Sequence, residues 1–385
     1  MKSADKNTSV FPQGDLSHAA SRRCGAGGPR SVAAAIDRKG WKRVRLGDVC
    51  KITKGEQLNR DSLADTGSIP VYNGGSSPSG YADNSNTDAE NVIISEGGNS
   101  CGYVNFIHVP FWRGGHCYLL ETDADKVLLY YVLKAKESKI MSLRVGTGLP
   151  NIQRERLNAF EFDLPTDTSE QRQIVSAFTS IDTHITALES LIAKYEAIKK
   201  ATVNLLLKPK EDWKQVKLGV VFDLKVGGDL DLSHYSPYKT NDCRYEIVSN
   251  SLANHGHYGY TSLPKFPSDS ITVTGRGNVG HAEYRQEPFG AIVRIVILSP
   301  KCNHVCAKFV AELINGSESF QIESTGVPQL TAPQIASTAI ALPSIDEQKR
   351  IIAILDSIDG TISGLKSKLA KTQDIKQGMM SHFFG

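Results

Sequence analysis

The sequence predicts an α+β molecule: two mainly β domains separated by two long antiparallel coiled-coil helices, related by an internal pseudo-two-fold repeat. Three observations predict it. A series of short motifs occurs twice, in the same order. β-branched runs between polar, Gly-rich loops fill the first part of each copy. Apolar residues at helical spacing fill the second part.

The repeat comes first because it frames the rest. WKRVRLG (41–47) returns as WKQVKLG (213–219). Asn99, between Gly98 and Gly102, returns as Asn278, between Gly277 and Gly280. TGLP (147–150) returns as TGVP (325–328). Leu164-Pro165 then EQR (170–172) returns as Leu342-Pro343 then EQK (347–349), and Ile181-Asp182 returns as Ile358-Asp359. Motifs that keep their order at a nearly constant offset mark a duplication.

The repeat divides the chain into a leader at 1–40, a β domain at 41–165, a helix at 166–210, a second β domain at 211–343 and a second helix at 344–385. The leader holds seven Lys/Arg against three Asp, lacks apolar periodicity and is rich in Ser, Ala, Gly and Arg. It reads as a disordered leader or an upstream start adding non-native sequence. A targeting peptide and a basic arm touching DNA are the alternatives. Each helix starts just after a proline, at TSEQ (168–171) and SIDEQ (344–348), with acidic residues in its first turn. The apolar stripe then runs through Ile181, Ile185, Leu188, Ile192, Tyr195, Ile198 and Leu205 in one copy. In the other it runs through Ile358, Ile362, Leu365, Leu369, Ile375, Met379 and Phe383. One such stripe could pack on its own domain. Two matching stripes favour packing against each other.

Composition sets outer bounds. Of 385 residues, 40% are hydrophobic and 22% charged, the balance of a soluble globular chain. No run approaches the ~18 apolar residues of a membrane span, so no membrane partner is expected. The seven scattered cysteines are odd in number and read as free thiols in a reducing cytoplasm. A net charge of +3 means that any nucleic-acid surface must come from local patches.

The stretch ITVTGRGNVGHAEY (271–284) contains G-x-G-x-x-G at Gly275, Gly277 and Gly280. A dinucleotide loop of that form needs a helix next, to hold the pyrophosphate at its N-terminus. Here a Pro-Phe-Gly break comes next, and then a β-branched run, Ile292 to Leu298. In the first copy the glycine stretch reads GGNSCG, so the shared feature is a tight glycine turn between strands. The nucleotide fingerprint is an accident of a hairpin.

The ordered series resembles the specificity subunit of type I restriction-modification systems. The series runs Trp-Lys-x-Val-x-Leu-Gly, glycine-asparagine hairpin, Thr-Gly-x-Pro, Leu-Pro, Glu-Gln-x-x-Ile and long helix. The resemblance covers 41–385. It implies that the β domains are target recognition domains, each reading one half of a split, asymmetric double-stranded DNA site. It implies that the paired helices set the gap and dock two modification (methyltransferase) subunits, with restriction subunits joining the larger complex. It also implies no catalysis in this chain, so that S-adenosylmethionine, ATP and magnesium belong to partner subunits. The residues agree: there is no Asn/Asp-Pro-Pro-aromatic loop for a flipped base, no Walker A motif and no paired P-D…E-x-K cluster. A repressor working alone could use the same β domains, yet would not need docking helices. A carbohydrate- or protein-binding β scaffold is the third option.

The candidate sites lie in the loops and the helix stripes. Cys302, His304 and Cys306 with His255 and His257 suggest zinc, but a lone C-x₃-C without a counterpart in the first copy favours buried thiols. Polar loops that offer base-reading side chains run from Tyr72 to Tyr81 and from Val248 to Tyr260. In them Asn73, Ser76, Ser77 and Tyr81, and Asn250, Asn254, His257 and Tyr258, are the candidate DNA contacts. The loops diverge where the frames match, as two domains reading different half-sites would. Arg144 and Arg276 are the best single cations, with Glu96 expected to take the place of Arg276 in the first copy. For the helix pair, Ile181, Ile185, Leu188, Ile192, Ile358, Ile362, Leu365 and Leu369 are the expected packing residues.

Overall fold

The computed structural model describes residues 40–146, 148, 150–316, 320 and 329–385. The leader up to residue 39, Thr147, Leu149 and the second TGVP motif lie outside the described residues.

Each β domain is tied shut by its own ends. In the first, strand Trp41–Arg45 pairs antiparallel with Glu161–Pro165; in the second, Lys214–Lys217 pairs with Ala339–Leu342. This pairing joins the tryptophan motif to the Leu-Pro motif, which explains why both recur together. Between the ends lies a four-stranded antiparallel sheet. Its order in the first domain is Lys51–Lys54, Cys117–Glu121, Asn91–Ser95 and Val104–Ile107. In the second it is Phe222–Val226, Ile295–Pro300, Ser270–Thr274 and Ala282–Arg285. The central strands NVIIS and SITVT are buried along their whole length, because one face carries a helix and the other a smaller sheet. That smaller sheet centres on Ile69–Tyr72 in one copy and Tyr245–Val248 in the other.

The domain helices are a feature the β reading omits. Lys126–Ala135 starts where the Asp125 carboxylate accepts from the backbone N–H of Val127 and Leu128, each at 2.9 Å. Its counterpart is Ala307–Gly316. Each buries an apolar face on its four-stranded sheet. The expected strand Ile292 to Leu298 is also corrected: Arg294 has φ +76°, which breaks the run, and the strand is Ile295–Pro300.

The long helices are Thr168–Leu206 and Ile345–Phe384. At ~1.5 Å per residue each is roughly 60 Å long. Asp167 caps the first by accepting from Glu170 N at 3.0 Å, and Ser344 caps the second by accepting from Glu347 N at 3.3 Å. The glutamine of the repeated Glu-Gln pair folds back in both copies: Gln171 Nε2 donates to Pro165 O (2.8 Å) and Gln348 Nε2 to Pro343 O (3.0 Å).

The helices pack antiparallel. Ion pairs between them run Asp182–Lys376 (2.6 Å), Glu196–Lys366 (2.8 Å) and Lys199–Asp359 (2.7 Å), one number rising as the other falls. Leu188, Ile192 and Ile362 are buried in the seam, with Ile181, Ile185, Ile358, Leu365 and Leu369 half-buried beside them. The expected stripe fails toward the helix C-termini: Ile198 is 40% exposed, Leu205 72% and Ile375 57%. A straight helix drifts by ~20° per heptad from a 3.5-residue repeat, and near their ends the helices turn other residues to the β domains. Met380 and Phe384 enter the core of the first domain, where the Phe384 ring lies 5.7 Å from Phe178 and 6.2 Å from Trp41. Val203, Leu206 and Leu207 pack on the core of the second. Each helix therefore leaves one domain and ends on the other.

Candidate nucleic-acid interface

The two glycine hairpins form one end of each four-stranded sheet. Gly98 and Gly277 have φ of +74° and +75°, and Gly102 and Gly280 have +90° and +89°. Four positions in the left-handed region make the turn a backbone device shared by both copies. The strand after Gly280 runs back antiparallel, so the glycines do not lead into the helix that a dinucleotide loop needs.

Around the first hairpin the chain builds a polar cluster. Gly97 bridges to Asn151, Gly98 N donates to Pro150 O at 2.9 Å, and Val145 pairs with Asn151. These bonds bring Arg144, which is exposed, alongside the hairpin. In the second domain Arg276 bridges to Gln329. The matching bridges make Gly97, not Glu96, the counterpart of Arg276, which corrects the expected substitution; Glu96 stands at the position of Gly275. The Glu96 carboxylate is mostly buried, ion-paired with Lys54, 3.4 Å from His116 Nδ1 and accepting from Tyr118 O–H at 3.2 Å.

The candidate residues sort into two kinds. Asn73 Oδ1 accepts from His116 N at 3.2 Å, and Asn250 Oδ1 accepts from Gly275 N at 2.8 Å while its Nδ2 donates to Arg276 O. Both side chains bond the frame through Oδ1, Asn250 through Nδ2 as well, and Asn250 and Arg276 are brought together by it. Tyr81 is half-buried in a short strand against Pro70 and bonded through its backbone to Ala64. Ser76 and Ser77 are exposed, as is Asn254, and Tyr258 is 47% exposed with its ring 6.0 Å from Tyr235. His257 is half-buried, its Nδ1 2.9 Å from Glu246 Oε1. Sequence reasoning missed Glu246, Glu283 and Arg285, which lie beneath the second loop. The only signal is a glutamate and an arginine inside the strand AEYR.

The described cysteines are free thiols. Burial pushes Cys50 up to about 11 and Cys117 up to about 12, so neither is a nucleophile at neutral pH. Among the described residues no three His, Cys, Asp or Glu side chains converge on a metal-sized site.

A duplicated scaffold that presents two unlike polar loops on matched glycine frames, joined by paired helices, defines a protein with two recognition surfaces. The comparisons with known proteins narrow this. Residues 38–200 and 210–373 each match the family model for the type I restriction modification DNA specificity domain. A Mycoplasma pneumoniae protein assigned as a type I specificity subunit is 26% identical over 375 residues, covering 89% of this chain and 96% of its own length. The specificity subunit of the Methanocaldococcus jannaschii type I restriction enzyme MjaVIII is 23% identical over 299 residues, covering 67% of this chain and 69% of its own. The crystal structure of the S subunit of a type I restriction-modification system from M. genitalium shares the fold. Its TM-score is 0.66 at 20% identity, over 88% of this chain and 95% of that one. The chain belongs to the type I restriction-modification DNA specificity family. DNA specificity is the function that membership gives it.

Proposed function

We propose that each β domain reads one half of a bipartite, asymmetric DNA target. The observation that carries this is the pair of matched hairpin frames beneath unlike loops: Tyr72 to Tyr81 in one domain, Val248 to Tyr260 in the other. Ser76, Ser77, Asn254, His257, Tyr258 and Tyr81 face the duplex, Arg144 and Arg276 contact phosphate, and Asn73 and Asn250 hold the loops in place. The paired helices set the distance between half-sites and dock two modification subunits, which restriction subunits join. S-adenosylmethionine, ATP and magnesium are used by those partners, and the complex works in the cytoplasm. Among the described residues no helix is long and apolar enough to cross a membrane.

Exchanging residues 41–165 for the matching domain of another family member tests this. The chain is co-produced with modification subunits and the methylated sites are sequenced. One half-site should change and the other stay. If both change, or neither, the two-module reading is wrong. The exchanged chain without modification subunits should methylate nothing in the same assay.

A further inference from the structure

The central hairpins of the two domains share a register. Asn91 pairs with Ile107 and Ile93 with Asn105; Ser270 pairs with Arg285 and Thr272 with Glu283. Ile107 is thus the counterpart of Arg285, and Asn105 of Glu283. In the first domain Ile93 and Ile107 are buried in an apolar cluster with Phe111, Cys117 and Leu119. In the second domain the same two positions are Thr272 and Arg285, and Arg285 is only 8% exposed.

A buried guanidinium loses its hydration and is retained only where it is well partnered. Arg285 is partnered on every side. Its Nε donates to Thr272 Oγ1 (3.1 Å), its Nη2 donates to His255 O (2.8 Å), and its Nη1 lies 3.9 Å from Glu246 Oε2. The bond to His255 falls where the backbone is strained. Asn254, His255 and Gly256 have φ of +48°, +54° and +76° in succession. Each non-glycine residue there crowds its Cβ against a carbonyl, and such strain persists only where the surroundings over-determine it. The surroundings here are Arg285 on the His255 carbonyl, Glu283 Oε1 at 2.6 Å from His255 Nδ1, and Ser249 N donating to Gly256 O at 2.7 Å. In the first domain the hairpin reaches its loop through Ser95 Oγ donating to Gly74 O and Asn105 Nδ2 donating to Ser76 O, the latter at 3.4 Å. The first hairpin holds its loop by neutral side chains alone; the second adds a buried guanidinium on a left-handed stretch of its loop.

We propose that Arg285 is a positioning residue for DNA reading by the second domain: by clamping the His255 carbonyl it holds Asn254, His257 and Tyr258 in one arrangement for the second half-site. This rests on the reading that the loop from Val248 to Tyr260 meets the bases. A loop ordered in advance loses less entropy on binding and discriminates more sharply.

The test uses the full chain with its modification subunits on a plasmid library randomised in both half-sites, read by methylation. Two forms are compared with the parent: Arg285→Lys, and Thr272→Ile combined with Arg285→Ile. The second recreates the apolar pair that the first domain already folds around, so its melting temperature should stay close to the parent's. Tyr258→Ala is the control for the loop itself. Both Arg285 forms should lose about tenfold discrimination at one or two base pairs of the second half-site, with the first half-site unchanged. An unaltered second half-site in the double variant, while Tyr258→Ala alters it, overturns the proposal and leaves Arg285 a purely structural residue. If all three variants leave the second half-site unaltered, the loop does not read DNA and the proposal falls with that reading. Equal loss at both half-sites marks general damage and overturns it too.

Discussion

The first domain buries isoleucine where the second buries arginine, yet both hairpins keep one register and one set of left-handed glycines. The junctions between domains and helices differ in the same manner. In the first, Tyr131 O–H donates to Asp182 at 2.6 Å, and Asp182 also pairs with Lys376. In the second, Asp359 pairs with Lys199 beside the half-buried carboxyl of Glu312. The recurring Ile-Asp motif is thereby explained: its aspartate meets a lysine of the opposite helix in both halves. Positions that set backbone geometry or join one half to the other are kept. Positions that only fill or support a loop are free to diverge, and this freedom lets one fold serve two half-sites.

The largest effect should come from changing what the two halves share. Between the Asp182–Lys376 and Lys199–Asp359 pairs, no side-chain hydrogen bond or ion pair among the described residues ties the rod to either domain. Because the helices run antiparallel, residues opposite one another lie near Ser190 and Lys368. Insertions toward the two C-termini, near Lys194–Lys200 and Lys371–Gln377, would not face each other and would pull the ion pairs out of register. Four residues added after Ser190 and four after Lys368 lengthen the rod by about 6 Å. DNA advances ~3.4 Å per base pair, so methylome sequencing should find both half-sites intact and the gap longer by one or two base pairs. An unchanged gap with full methylation would mean that the helices dock partners without setting the spacing.

Much of this frame is legible in the residues alone. The Trp and Leu-Pro motifs recur because their strands pair in both copies, and the Glu-Gln motif recurs because Gln171 and Gln348 both bond the proline carbonyl before the helix. The bond from Trp41 Nε1 to Glu170 Oε1 (2.9 Å) belongs to the first copy alone, since the buried Trp213 Nε1 has no hydrogen-bond partner among the described residues. Repetition exposes contacts that a single copy would hide. The helix pair is legible from its period, except near the C-termini, where packing on the domains overrides the seam. Lys126–Ala135 and Ala307–Gly316 are not, because their apolar density matches that of the strands beside them. The Glu96–Arg276 pairing is a miscount rather than a limit of the sequence: the Asn99–Asn278 offset, carried back along both strands, places Gly97 on Arg276. Arg285 is invisible for a different reason: a charged residue in a sequence reads as solvated, and only the fold shows it buried.

A smaller effect sharpens the comparison at the helix starts. Gln348 is fully buried; it accepts from Cys306 N at 2.9 Å and donates to Pro343 O at 3.0 Å and His304 O at 3.2 Å. Gln171 is half-buried and donates to Pro165 O. Leaving a buried partner unpaired costs about 1–3 kcal/mol, and an ordinary hydrogen bond contributes about 1. Gln348→Ala should therefore destabilise by roughly 3 kcal/mol and Gln171→Ala by roughly 1, measured by urea unfolding of the two variants side by side. Equal losses would show that the second junction gains nothing from its extra bonds.

The smallest effect separates the junctions by pH. Burial raises the Glu312 carboxyl above its ordinary 4.5, and Asp359 and Asp356 push it further, against the pull of Lys199 and Lys308. A carboxyl whose pKa is higher folded than unfolded stabilises the fold fully below the unfolded value and loses that contribution as pH rises through the folded value. At neutral pH Glu312 is thus a cost, which a neutral amide of the same shape avoids. Glu312→Gln should raise the melting temperature slightly at pH 7, and the gain should vanish as pH falls below about 4.5. Tyr131 at the other junction gives no such window. Burial and the bond to Asp182 raise its phenol far above neutrality, so Tyr131→Phe should lower the melting temperature by the same amount from pH 6 to pH 8. A loss of stability in Glu312→Gln at pH 7 would mean that attraction to Lys199 and Lys308 outweighs burial, and would put the two junctions on the same electrostatic footing.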